Sequence, residues 1–308
     1  MPKLVKLEPL RVATAAALLL LAALPARALT INASFDATIN ANPTAKATIL
    51  GAIATYQSLF SDPITVNIAF QDMATGLGQS NTFYVTKDYA TYQAALRADA
   101  TSASDVTAMS HVPVAAVDPV TGSANIDITW AQAAAVGLSA PVGTNGTVSL
   151  NLALMNWDRV TINPGKVDLQ AVASHEINEV LGTASGIGFP PNITPIDLFR
   201  YTLAGARTHT TTGDDAYFSI DGTTQLTRFN QTAGGDYGDL WSIGAHTPQV
   251  QDAFGTAGAT PNLGVEIVML DVVGYNLVSA VPEPSSMVMM FGGMLLIGGM
   301  ARRRQQAA

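Results

Sequence analysis

Between Asp168 and Leu181 one stretch repeats apolar residues at the spacing of a helix face, and any fold open to this chain must bury that face. The stripe is Leu169, Val172, Ala173, Ile177, Val180 and Leu181. Asp168 stands where an N-cap is preferred, and Gly182 follows where a helix stops. Before it, Pro63–Phe70 and Thr147–Leu154 alternate apolar and polar residues, the period of half-buried strands. A second helix is expected over Asp88–Ala100, from Tyr89, Tyr92, Ala95 and Leu96. Asn163-Pro164-Gly165 is a turn. Gly182–Tyr237 is rich in Gly, Thr, Pro and Asp, so loops and short strands are expected there. Tyr217–Gly222 reads as a strand into a turn, and Gly264–Gly274 as a buried helix ending at glycine. Strands, one long helix, then irregular structure indicate an α+β domain.

Both ends are set apart from that domain. Lys3, Lys6 and Arg11 precede an apolar run, Ala13–Leu24, too short to span a bilayer, and Ala26-Arg27-Ala28 offers a small-x-small cleavage site. Residues 1–28 therefore read as a secretory signal peptide. At the other end, Val281-Pro282-Glu283-Pro284 leads into an uncharged apolar run, Ser285–Met300, closed by Arg302, Arg303 and Arg304. Proline, short apolar run and basic stop resemble the PEP-CTERM sorting signal. That resemblance implies transient membrane association of 281–308 and handling by the exosortase machinery at the envelope. The remaining 29–280 is one domain's worth of chain, exported to the cell envelope or beyond it.

The signals take seven of the 15 Lys and Arg and two of the 23 Asp and Glu, leaving 8 basic against 21 acidic residues in 29–280. Such a surface repels nucleic-acid phosphates and accommodates divalent cations. No cysteine is present, so any metal site draws on His, Asp and Glu, and only four histidines exist: His111, His175, His209 and His246.

His175 and Glu179 are four residues apart on the expected helix, so they project from one face, one turn apart. An imidazole nitrogen and a carboxylate oxygen can then reach one ion at about 2 Å. Glu176 sits about 100° round the helix, beside such an ion, where a general base of peptide hydrolysis stands in HExxH motifs. Here the second His is Glu, giving HExxE. On spacing alone, a solvated acidic helix face is the favoured reading, since the motif calls for a second His.

Val167–Gly182 resembles the active-site helix of matrixin-like metzincin peptidases, whose pattern runs HExxHxxGxxH. His175, Glu176 and Gly182 match it; Glu179 and Ser185 replace the second and third His. Ser185-Gly186, Thr194–Tyr201, Tyr217–Gly222 and Leu270–Tyr275 resemble a group of metallopeptidase-like proteins that carry PEP-CTERM signals. The resemblance implies a metzincin-like zinc-peptidase domain with a twisted sheet, an active-site helix and an irregular C-terminal half. It also implies a metal held by His175 and Glu179, with Glu176 as the catalytic base. For the third ligand, Asp197 is expected first, after the Gly/Pro-rich loop that leaves the helix; His246 is second and His209 third. His111, before Val-Pro-Val, is structural. Met269 is a core methionine, or a floor beneath the metal as in the metzincin Met-turn. Zn²⁺ is the expected ion, with Mn²⁺ or Ca²⁺ as alternatives for an oxygen-rich set. The expected activity is hydrolysis of protein or peptide substrates. The rival is a non-catalytic envelope or matrix protein that keeps the fold.

Overall fold

The computed structural model describes residues 28–278, apart from 189–191 and 213–214. The signals expected over 1–28 (save Ala28) and 281–308 lie outside the described residues. The chain divides into a unit ending at Leu277 and a segment from Val278 to Ala308, and every helix and strand described belongs to the first unit.

Strand β1 (Thr30–Phe35) leads through α1 (Ala37–Asn40) and α2 (Pro43–Leu59) to β2 (Thr65–Asp72). Then come β3 (Gly78–Thr82), β4 (Tyr84–Asp88), α3 (Tyr89–Asp99), α4 (Ala103–His111), β5 (Asn125–Thr129) and α5 (Trp130–Ala135). Strand β6 (Gly146–Leu150) completes the main sheet, in the order β1-β2-β6-β3. β1, β2 and β6 are parallel, whereas β3 runs antiparallel to β6 and forms an edge. Two-residue strands β7 (Met155–Asn156) and β8 (Val167–Asp168) pair just before α6 (Leu169–Leu181). The rest is β9 (Arg200–Thr202), β10 (Ala216–Phe218) and β11 (Thr227–Arg228) in a small antiparallel sheet, long loops, and α7 (Val265–Val272).

This is a mixed α+β architecture. The alternation in β2 buries Val66, Ile68 and Phe70 on one face. α6 lies against β3 and β6, and α2 packs on α6. The sequence pattern given above leaves out helix α2, although Ala45, Ile49, Ala52, Ile53 and Tyr56 recur at helical spacing and Pro43 occupies its first position. Each buried Ile of that stripe contributes roughly 1.5–3 kcal/mol. The α6 boundaries match the expected ones. Asp168 caps the helix by accepting from the Ala171 amide at 3.1 Å. Gly182 ends it at φ +130°, and a Cβ there would strike the Gln132 side chain. Met269 is fully buried in the core on α7.

Candidate metal centre

α6 presents its acidic edge to a cavity of about 380 Å³ rather than to open solvent. His175 Nε2 lies 3.6 Å from Glu179 Oε1 and 3.3 Å from Asp239 Oδ1. One ligand atom from each of these three residues falls within 4.8 Å of the others. Among the described residues this is the only such His, Asp and Glu group.

Each member is oriented from behind. His175 Nδ1 is 3.1 Å from the Val250 carbonyl, which accepts its proton and leaves Nε2 facing the two carboxylates. Glu179 Oε2 accepts from Ser80 Oγ on β3 at 2.6 Å. Asp239 Oδ1 accepts from Gln251 Nε2 at 3.0 Å. Gln251 Oε1 in turn accepts from Asn178 Nδ2 at 2.8 Å, and Asn178 Oδ1 lies 2.7 Å from the Tyr56 hydroxyl. A fully buried polar chain, Tyr56–Asn178–Gln251, thus ties the loop bearing Asp239 to α6 and α2. Arg200, also fully buried, donates to the Tyr237 carbonyl and steadies the same loop.

The charges at His175 are set by its carboxylate neighbours. Burial works against a charged imidazole, yet Asp239 and Glu179 beside it hold the His175 pKa well above its ordinary value. Burial likewise opposes ionisation of Glu179, but His175 and Ser80 keep its carboxyl below the usual range. Burial raises Asp239 and, together with the Glu179 charge, pushes Glu176 well up. A proton on His175 thus balances charge that a divalent ion would balance on a neutral imidazole. One imidazole and two carboxylates form a donor set that fits such an ion.

Glu176 is buried beside the group, and its room comes from a missing side chain. A Cβ on Gly78 would sit 2.4 Å from Glu176 Oε1 and 2.6 Å from Val172 Cγ1. Gly78 is therefore the cradle of the Glu176 carboxyl. A second cavity, about 340 Å³, shares Ser80, Glu179 and Asp236 with the first. Strand β3 lines both, with Gly78, Gln79 and Ser80 on the first and Ser80, Asn81 and Thr82 on the second.

His175, Glu176 and Glu179 are together, as the helical spacing implies. Asp197, expected as the third ligand, is not among them. Its Oδ1 accepts from Ser185 Oγ at 2.5 Å, and its Oδ2 from the amides of Gly186 and Thr194. Thr194 and Asp197 form a reciprocal cap on the 3-10 helix Pro195–Phe199. The Thr194-x-x-Asp197 spacing was a readable sign of that role. Ser185, at the motif's third-His position, spends its hydroxyl on Asp197. His246 is also outside the group, with Nε2 at 3.0 Å from Asp252 Oδ2 and Nδ1 at 2.9 Å from the Gly244 carbonyl. His209 lies 3.8 Å from Asp118. His111 is exposed at the end of α4. Asp239 was missed because one Asp in a Gly-rich loop reads as a turn residue.

Residues 280–305 match the PEP-CTERM protein-sorting motif. The chain is therefore an exported protein recognised at its C-terminus by the exosortase machinery. No curated protein and no solved structure matches the chain significantly. Among the described residues no helix is long and apolar enough to cross a membrane.

Proposed function

We propose that the exported domain is a metal-dependent endopeptidase whose ion is held by His175, Glu179 and Asp239. The observation that carries this reading is the convergence of those three side chains on one point, with Glu176 buried beside them and a cleft in front. A bound divalent ion supplies Lewis acidity, polarising a peptide carbonyl and acidifying water. Glu176 takes a proton from the attacking water on its carboxylate and delivers it to the leaving amine nitrogen. The unpaired edge of β3 offers main-chain hydrogen bonds to an extended peptide lying along both cavities. Ser80 and the Val250 carbonyl hold the first two ligands in orientation, and Gln251 holds the third. Zn²⁺ fits the imidazole and the one-turn spacing; Mn²⁺ fits the two carboxylates.

The donor set also favours a second reading. Two carboxylates cancel the charge of a divalent ion and weaken it as a Lewis acid relative to sets with two imidazoles. A non-catalytic envelope protein with a structural ion is consistent with that.

One experiment separates the two. The purified exported protein is assayed for bound metal and for hydrolysis of an unstructured protein such as casein, beside Glu176→Gln. A metallopeptidase retains its ion in Glu176→Gln and loses about 10²–10⁴-fold in rate, the usual worth of a positioned base. Metal-replete protein that cleaves nothing sinks the enzyme reading, and protein that takes up no ion sinks both.

A further inference from the structure

We propose that the cleft selects a lysine or arginine side chain of its peptide ligand, with Asp252 as the specificity-determining carboxylate. The proposal rests on the peptide-cleft reading above and names its substrate class. Asp168, Glu176, Glu179, Asp236, Asp239 and Asp252 line the larger cavity, and no lysine or arginine does so among the described residues. The smaller cavity adds Asp127 and likewise has no basic side chain in its wall. Most of these carboxyls already have work. Asp168 caps α6 and is paired with the permanent charge of Arg159, although its own buried Oδ1 also has no hydrogen-bond partner. Glu179 and Asp239 belong to the His175 group, and Glu176 carries the proton. Asp236 accepts from the amides of Ser185 and Gly238.

Asp252 differs. It is only 6% exposed. Its Oδ2 accepts from the Gln249 amide and faces His246 Nε2, both at 3.0 Å. Its Oδ1 is buried with no hydrogen-bond partner. A buried carboxylate oxygen without a donor is costly, and a donor brought by a ligand would satisfy it. The wall around it suits a long cationic side chain. Pro248, Val250 and Ala253 line the same cavity and offer apolar surface for an aliphatic stem, with the carboxylate at its end for the charged head. The opposite charge inside a partly enclosed cavity is screened less than on an open surface.

Binding tests this independently of catalysis. Acetylated and amidated alanine-based hexapeptides, differing only in one central Lys, Arg, Gln or Glu, are measured by fluorescence anisotropy against the zinc-loaded Glu176→Gln protein. The Lys and Arg peptides should bind roughly tenfold or more tightly than the Gln peptide, the scale of one charged hydrogen bond. Asp252→Asn keeps the bond from the Gln249 amide and should abolish that preference while the Gln peptide binds as before. Equal binding of Lys and Gln peptides overturns the proposal. So does a preference that survives Asp252→Asn, which diffuse attraction by the acidic protein would produce. If Asp252→Asn does not fold, arginine is compared with its neutral analogue citrulline in the unmutated cleft, and equal binding again overturns it. Selective binding without cleavage by the wild type leaves the cleft assignment standing and removes the hydrolase. Cleavage with no basic preference does the reverse.

Discussion

Glu176 and Glu179 are one helical turn apart, yet their carboxyls shift in opposite directions, because burial and the Glu179 charge outweigh His175 at Glu176 whereas His175 and Ser80 outweigh burial at Glu179. The two share a local proton balance, so substitution separates their roles better than titration does. Glu179→Gln should release the ion, with activity lost by that route, whereas Glu176→Gln keeps it. Metal content per chain, read for both variants, checks this; equal retention would mean that Glu179 is no ligand. Gly78 gives a subtler test. Its added Cβ in Gly78→Ala meets Glu176 Oε1 and Val172 Cγ1, both on buried side chains of α6, rather than backbone. The expected result is a fold destabilised by roughly 1–3 kcal/mol, as for modest overpacking. Bound metal should be unchanged and hydrolysis sharply reduced. Full activity in Gly78→Ala would show that the Glu176 position does not matter.

At the scale of elements, α6 is held at its N-terminus by one carboxylate with two duties. Asp168 Oδ2 accepts from the Ala171 amide and also pairs with Arg159, itself anchored to Pro261 and Asn262. Loss of a cap costs roughly 1–2 kcal/mol. Asp168→Ala should therefore lower Tm by several degrees in a domain of this size. The His175–Glu179 pair sits beyond the capped turn, so ion affinity should fall less than stability does. Thermal unfolding with and without chelator measures both; an unchanged Tm would show the cap to be dispensable. The same cap logic explains Asp197. A Thr-x-x-Asp spacing closes its own short helix, and the carboxylate is consumed where it stands.

For the molecule as a whole, buried carboxyls couple stability to pH. Burial, with Asp105 and Asp62 nearby, raises Asp271 to about 7, against a bond from Ser102 that lowers it; burial likewise raises Asp62 to about 6. Folding thus favours their neutral forms. The stability they contribute is intact below the ordinary carboxylate pKa and declines as pH rises towards 6 and 7. Above about 7 the folded protein bears the Asp271 charge with Oδ1 unpartnered. Asp271→Asn keeps an acceptor for Ser102 and should raise Tm by a few degrees at pH 8, the gain vanishing towards pH 4. A gain independent of pH would assign the effect to packing. Export adds a second molecular property. The motif over 280–305 predicts a mature protein without its last residues. Mass spectrometry of protein from its native host should find Ala308 missing; an intact terminus would mean that the motif is not processed.

Local patterns carried the parts of this protein that local physics controls. The sorting motif is a linear signal. The extent of α6 follows from its apolar stripe, its Asp168 cap and its Gly182 stop. The shared face of His175 and Glu179 follows from 3.6 residues per turn. Helix α2 was equally legible, because its stripe and Pro43 obey the same rules. The third side chain of the candidate group obeys no local rule. Asp239 reaches His175 because Gln251, Asn178 and Tyr56, from three distant segments, bury a chain of hydrogen bonds that fixes its loop. Gly78 matters to Glu176 only because the edge strand crosses α6 at that residue. The sequence favours Asp197, which follows the Gly/Pro-rich loop leaving the helix, and gives Asp239 no mark of its own. Tertiary structure chose between them by spending one carboxylate on a cap and leaving the other facing an imidazole.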